Sequence, residues 1–80
     1  MDKKRRIGRY LRSMVAAPFD DDDDIFSRGL VDSLFALQLV LFIEKEFGIH
    51  VKGEDLDLDN FCSVNAMASF VSRKLGGVEA

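Results

Sequence analysis

Apolar residues recur near the start of the chain at the spacing of an amphipathic helix. A first helix is predicted from Lys3 to Ala17, and Pro18 should end it, because the residue before a proline is disfavoured in the helical conformation. Its apolar positions share one face: Ile7, Tyr10, Leu11, Met14 and Val15. This pattern predicts one buried stripe facing the other elements.

A second apolar segment follows Gly29 and runs to Gly48. Asp32 or Ser33 can cap its N-terminus by accepting a backbone N–H, and Gly48 suits the left-handed position that often ends a helix. The helical period predicts this inner face: Leu37, Leu39, Val40, Ile43 and Phe47. The residues expected mainly on other sides are Phe35, Gln38, Leu41 and Lys45.

The connecting segments predict a long first loop and a short helix. Five consecutive acids at 20–24 repel one another and favour an exposed loop, with a divalent-cation site as the alternative. Residues 54–60 could form one or two helical turns that carry Leu56 and Leu58 inward. Ser63 should cap a last helix that ends at Gly76–Gly77. The expected buried positions of that helix are Val64, Met67, Ala68, Val71 and Leu75.

The sequence therefore predicts an all-α fold of three main helices and one short helix. We expect a single domain over residues 1–80, frayed at its basic N-terminal end and at residues 76–80. One cysteine and one histidine provide neither an internal disulfide nor a metal-ligand set. No secretory signal is visible, and the longest apolar run is far shorter than the roughly 20 residues that span a bilayer. We expect a cytoplasmic monomer without membrane contact.

Charge is distributed unevenly along the chain. Residues 1–17 contain six basic residues and one acid, whereas the remainder contains five basic residues and thirteen acids. The basic run from Lys3 to Arg6 could contact nucleic acid or a membrane surface, but a solvated helix face is the simpler interpretation. The acidic remainder and the lack of a stacking set of aromatics disfavour a nucleic-acid-binding protein.

Ser33 is the candidate functional residue. A serine beside a helix start ordinarily caps the helix. A hydroxyl at this place could also carry a phosphate, because the free N–H groups and the helix dipole stabilise an anion by about 0.3–1 kcal/mol. Cys62 and His50 have no evident partner that would make either a nucleophile or a base.

The segment from Gly29 to Leu34, together with the helix ending at Gly48, resembles acyl carrier proteins. The resemblance extends over about residues 5–75, in helix order as well as in motif. It implies an acyl-carrier-type four-helix bundle in which Ser33 carries 4′-phosphopantetheine. It also implies that Asp32 lies where a phosphopantetheinyl transferase and its magnesium ion act. Such a protein catalyses nothing itself: it presents a thioester-bound acyl group to loading enzymes, tailoring enzymes and a synthase or acyltransferase.

A narrower resemblance concerns the cargo. Residues 33–40 and 54–61 are similar to free-standing carriers of polyketide and antibiotic pathways, which hold glyceryl, hydroxymalonyl or methoxymalonyl units. Many of those carriers have asparagine where this chain has Asp32. A fatty-acid or aminoacyl carrier is an alternative, and a small helical interaction or nucleic-acid-binding module using the basic first helix is another.

Partner enzymes are expected to dock along the second helix. Its first turns are apolar and lack the acids typical of fatty-acid carriers, which either enlarges the core or provides apolar partner contacts. The predicted docking residues are Leu34, Phe35, Gln38, Leu41, Glu44 and Lys45.

Overall fold

The computed structural model describes residues 2–76, and within this range the chain is helical and contains no strand. The helices are α1 (Asp2–Met14), α2 (Ser33–Phe47), α3 (Leu58–Phe61) and α4 (Val64–Leu75), with a 3-10 turn (Gly53–Asp55) before α3. The predicted helical bundle is thereby confirmed. Residues 77–80, where fraying was predicted, lie outside the described residues, and Gly76 ends α4 as its C-cap. No helix in the described range has the length and hydropathy needed to cross a membrane.

The core is built from one stripe of each main helix, together with residues of the first loop and Phe61 of α3. Ile7 and Leu11 of α1 are fully buried, as the period predicted, whereas Met14, predicted on the same stripe, is 51% exposed because it lies at the end of the helix. Other fully buried side chains come from the first loop, α2 and α4: Ile25, Leu39, Ile43, Val64, Met67, Phe70 and Val71. Since Cys62 is free and the described residues contain no cluster able to bind a metal, apolar burial is what holds these elements together.

Aromatic rings align α1 against α2 in antiparallel fashion. The Tyr10 ring lies parallel to that of Phe42, with centroids 3.9 Å apart, and also stacks on Phe35 at 6.1 Å. One turn earlier on α1, Arg6 pairs with Glu46 near the end of α2, at 2.7 Å between Nη2 and Oε2. Early residues of α1 thus meet late residues of α2, so the N-terminus of α1 lies at the opposite end of the bundle from the start of α2.

The first helix is shorter than predicted, since it ends at Met14 and not at Ala17. Pro18 supplies no backbone N–H and disfavours helical geometry in the residue before it. The chain turns here so that Phe19 becomes buried beneath Arg12, whose guanidinium carbon lies 4.8 Å from the ring centroid. Arg12 also donates to the Phe19 carbonyl at 3.2 Å.

The acidic run forms a surface loop, as predicted, but its carboxylates also order it. Asp23 accepts the N–H of Asp20 at 2.7 Å and pairs with Arg28 at 2.9 Å. Asp24 accepts the N–H groups of Ser27 and Phe26, and these bonds, that from Ser27 foremost, lower the pKa of the Asp24 carboxyl. These hydrogen bonds give the loop a local turn structure although its acids repel one another.

The same loop is fastened to both neighbouring helices. Asp21 pairs with Arg12 of α1 at 3.1 Å, and its carbonyl accepts the N–H of Asn65 at the start of α4. The Asp22 carboxylate accepts a hydrogen bond from the Asn65 side chain. Hydrogen bonds and an ion pair to protein groups therefore engage both Asp21 and Asp22.

Four leucines that were predicted to be buried are exposed. They are Leu37 (60%), Leu56 (60%), Leu58 (61%) and Leu75 (53%). Leu37 belongs to a helix that is apolar on nearly every side, so the period alone did not identify the buried face. The buried face of α2 is formed by Leu39 and Ile43, which were also predicted to lie there. Leu58 lies in α3, which has a single turn, and Leu75 is the last residue of α4. Neither of these two side chains is covered by a neighbouring element.

A polar latch holds the segment before α3 against the last turn of α4. Asp55 pairs with Lys74 at 2.8 Å and accepts the N–H of Lys52 at 3.0 Å. The Lys74 ammonium, followed by that N–H, holds the pKa of Asp55 below its ordinary value. Arg73 donates to the Asn60 side chain at 2.9 Å. The latch positions one wall of the groove described below.

We predict that Leu39→Ala lowers the free energy of unfolding by about 2–5 kcal/mol, because it opens a cavity in the core. Leu37→Ala should cost less than about 1 kcal/mol, since its side chain is largely exposed. Urea denaturation followed by far-ultraviolet circular dichroism measures both values. Equal losses in the two variants would show that the buried face of α2 has been misidentified.

We also predict that the latch weakens in acid. Because the pKa of Asp55 is lowered by folding, its stabilising contribution is complete above its ordinary value of 3.8 and disappears as pH falls through the lower folded-state pKa. Asp55→Asn should therefore be less stable than the wild type at pH 7, and the difference should shrink toward pH 2. Urea titrations at several pH values test this, with the exposed neighbour Glu54→Gln as control. A difference independent of pH would contradict the assignment.

Candidate functional site

The start of α2 is fixed by Asp32. This residue has extended backbone geometry, and its Oδ1 accepts the N–H of Phe35 at 3.0 Å, while its carbonyl accepts the N–H of Ala36 at 3.0 Å. Of the two caps that the sequence allowed, Asp32 is therefore the one used. Ser33 becomes the first helical residue.

The Ser33 hydroxyl is consequently not occupied by capping. The residue is exposed, and no side-chain hydrogen bond within residues 2–76 involves its Oγ. Ser63 shows the opposite arrangement: it is buried and its Oγ accepts the N–H of Ala66 at 3.0 Å, which caps α4. The ordinary role of a helix-start serine thus falls to Ser63 and not to Ser33.

The surroundings of Ser33 favour an anion. The first turn of α2 contains no acidic residue, and the N-terminus of a helix carries partial positive charge. Before it, Gly29 adopts a φ of 72°, a left-handed conformation that glycine tolerates and that turns the loop back from Ile25 and Phe26 toward α2. The hydroxyl is therefore presented at an accessible, electrostatically suitable position for a phosphate ester.

Two surface grooves flank this point. The α2–α3 groove has a volume of about 250 Å³ and is lined mainly by apolar side chains: Ser33, Ala36, Leu37, Val40, Leu56, Asp57 and Phe61. The α1–α2 groove, of about 300 Å³, is lined by Met14, Val15, Gly29, Leu30, Val31, Asp32 and Phe35. Leu56, Asp57 and Phe61 were not predicted to lie next to Ser33, because more than twenty residues separate them from it along the chain.

Several predicted docking residues lie exposed on α2. Leu34 is 67% exposed and Leu41 is 59% exposed, and with Leu37 they follow a spacing that keeps them near one another on the helix surface. Gln38 and Lys45 are also exposed. This surface presents apolar side chains and little negative charge.

Two other predicted docking residues already serve the fold. Phe35 is half-buried and stacks on Tyr10. The Glu44 carboxylate accepts the N–H of Val51 at 2.7 Å and lies 3.6 Å from Nδ1 of His50. Both residues thus connect α2 to other parts of the chain.

Cys62 lines neither of the two grooves. Its thiol is partly buried and contacts the Asp59 carbonyl at 3.9 Å. Burial, followed by the charge of Asp24, raises the pKa of the Cys62 thiol. A raised pKa keeps the sulfur protonated at neutral pH and makes it a poor nucleophile.

Comparison with known proteins agrees with this geometry. A family model described as a phosphopantetheine attachment site matches residues 6–71. The D-alanyl carrier protein of Leuconostoc mesenteroides is 30% identical over 78 residues, which cover 95% of this chain and 100% of that protein. That of Leuconostoc citreum is 27% identical over the same shares of both chains.

A third relative, the D-alanyl carrier protein of Lactococcus lactis, is 31% identical over 55 residues, covering 69% of this chain and 70% of that protein. No solved structure matches the chain. These relatives are named as D-alanyl carriers, so they do not support the narrower prediction of a polyketide carrier. They favour the aminoacyl alternative. The chain belongs to the family of phosphopantetheine-binding carrier proteins, which bear 4′-phosphopantetheine and are not catalytic by themselves.

Proposed function

We propose that this protein is an aminoacyl carrier that holds a small amino acid, D-alanine in the first instance, on a 4′-phosphopantetheine arm attached to Ser33. The terminal thiol of that arm supplies the thioester on which the cargo is carried. The main support for Ser33 as the attachment site is the arrangement at the start of α2. Asp32 caps the helix there, and the neighbouring Ser33 hydroxyl remains exposed.

Two of the other serines, Ser13 and Ser63, fit the arm less well. Ser13 donates its hydroxyl to the Tyr10 carbonyl at 2.7 Å, and Ser63 is buried and caps α4. Ser33 combines exposure with a helix N-terminus, where a phosphodiester gains about 0.3–1 kcal/mol from the dipole. These features support Ser33 as the residue that holds the group.

Asp32 is proposed to assist attachment as well as to cap. Its Oδ1 is engaged by the N–H of Phe35, and none of the hydrogen bonds within residues 2–76 involves Oδ2. A carboxylate oxygen is a suitable ligand for magnesium, which prefers oxygen donors. The second oxygen would thus contact the metal ion of a phosphopantetheinyl transferase while the first maintains the helix start.

The space beside Ser33 supports a small cargo. The α2–α3 groove, at about 250 Å³, is smaller than the roughly 300–1,000 Å³ of pockets that enclose drug-sized ligands. Behind it, the rings of Phe61 and Phe70 are buried with centroids 5.2 Å apart and fill the bundle at this point. An amino acid fits these dimensions better than a long acyl chain.

A glyceryl or methoxymalonyl unit of a polyketide or antibiotic pathway is the second candidate. The similarity of residues 33–40 and 54–61 to such carriers favours it. The D-alanyl names of the relatives, and an aspartate at position 32 where many of those carriers have asparagine, count against it.

We propose that partner enzymes dock on the exposed side of α2. These partners would be the transferase, an acyl-loading enzyme, and the tailoring, synthase or acyltransferase enzymes that use the cargo. The apolar contacts would come from Leu34 and Leu41, with Leu37 added by the structure, and the polar contacts from Gln38 and Lys45. Such a small patch suits brief encounters. The monomeric state and the cytoplasmic location stay predictions.

Attachment is tested by expressing the chain with a broad-specificity phosphopantetheinyl transferase and measuring its intact mass. The wild type and the Ser27→Ala control should each gain one phosphopantetheine, whereas Ser33→Ala should gain none. Ser33→Ala should also unfold within about 0.5 kcal/mol of the wild type, because Asp32 retains the cap. Modification of Ser33→Ala would place the arm on another residue.

Cargo is tested on the modified protein with D-alanyl, glyceryl and malonyl donors and their respective loading enzymes. We expect a kcat/KM for the D-alanyl donor at least about tenfold above the others, which corresponds to about 1.4 kcal/mol of transition-state discrimination. Intact mass after a timed reaction gives the extent of loading. Preferential glyceryl loading would reject the aminoacyl proposal while leaving the attachment site intact.

A further inference from the structure

A second surface, distinct from the Ser33 region, covers the N-terminal turns of α1. We call it the basic face and define it by four cations that form no ion pair among residues 3–76: Lys3, Lys4, Arg5 and Arg9. Arg5 and Arg9 are exposed and lie one turn apart, opposite the buried Ile7 and Leu11. These charges therefore form no ion pairs that stabilise the described part of the fold.

The basic face is separated from the run of five acids at 20–24. Because α1 and α2 are antiparallel, Lys3 and its neighbours lie at the opposite end of the bundle from Ser33. The fifteen residues of α2 span about 20 Å at 1.5 Å per residue. The acidic loop follows the C-terminal end of α1, at the Ser33 end. This separation exceeds the Debye length of about 8 Å at physiological salt, so the acids do not cancel attraction at the basic face.

The composition of the basic face indicates the kind of partner. The exposed large apolar side chains of the described residues include none between positions 3 and 13, and Tyr10 is stacked on Phe42. Protein interfaces gain most of their affinity from apolar or aromatic anchors, and single-stranded nucleic acids are bound with stacking aromatics. A surface that has cations but no apolar or aromatic anchors suits a partner that presents many laterally mobile negative charges over a broad area.

We propose that the basic face docks the protein on a bilayer of anionic phospholipid. Contact is peripheral and reversible, since it consists of attraction between the Lys and Arg side chains and the headgroups. The Ser33 end then points away from the bilayer and stays accessible to enzymes. This inference does not depend on the identity of the cargo. It replaces the expectation that this face is merely solvated and makes no membrane contact.

Vesicle sedimentation tests the proposal with the purified full chain. We expect binding to vesicles of equal parts phosphatidylglycerol and phosphatidylcholine, no binding to pure phosphatidylcholine, and release when salt rises from 50 to 300 mM. Arg5→Gln with Arg9→Gln should lower the partition coefficient about 30-fold. The matched control, Arg12→Gln with Arg28→Gln, removes two cations at the Ser33 end and should stay within about threefold of the wild type.

Circular dichroism of each variant establishes that it is folded before binding is measured. Equal binding to neutral and anionic vesicles, or equal loss in the two double variants, would overturn the proposal. Tighter binding to a 20-base-pair DNA duplex than to the anionic vesicles at the same salt would also overturn it and assign the basic face to nucleic acid.

Discussion

The hydrogen bond between the Asp32 carboxylate and the N–H of Phe35 fixes the residue at which α2 begins, and the accessibility of Ser33 depends on it. If Ser33 capped the helix instead, the backbone would engage its hydroxyl, as it engages that of Ser63 at the start of α4. The buried residues Leu39 and Ile43 follow in the same helix and hold it against the core. One side chain thereby couples the stability of the bundle to the accessibility of the hydroxyl beside it.

The sequence predicted α1 and α4 well because their apolar and polar positions are segregated. It was less informative for α2, where apolar residues surround the axis, and this is why Leu37 was assigned to the wrong side. Leu56 and Leu58 were wrong for another reason: they lie at the end of a 3-10 turn and at the start of a one-turn helix, and such short elements have too few residues for a periodic pattern. The order within the acidic loop arises from side-chain to backbone bonds, such as that from Ser27 to Asp24, which the hydrophobic pattern does not encode.

The motif around Ser33 could be recognised from sequence, whereas its surroundings could not. The far wall of the α2–α3 groove comes from Leu56 and Phe61, which tertiary packing brings to the serine. The cargo is harder still to predict from sequence. It is held at the reactive end of a long arm, beyond the side chains that a local motif specifies. Two short segments suggested polyketide units, whereas the relatives that match nearly the whole chain are named D-alanyl carrier proteins.

Tyr10 is the one tyrosine of the chain, which has no tryptophan. Its ring lies against Phe42 and close to Phe35, at the contact between α1 and α2. The chain therefore carries one dominant intrinsic fluorophore, and its emission reports on the separation of these two helices without an added label. A structural change on the docking side of α2 that moves Phe35 should therefore also alter the emission of Tyr10.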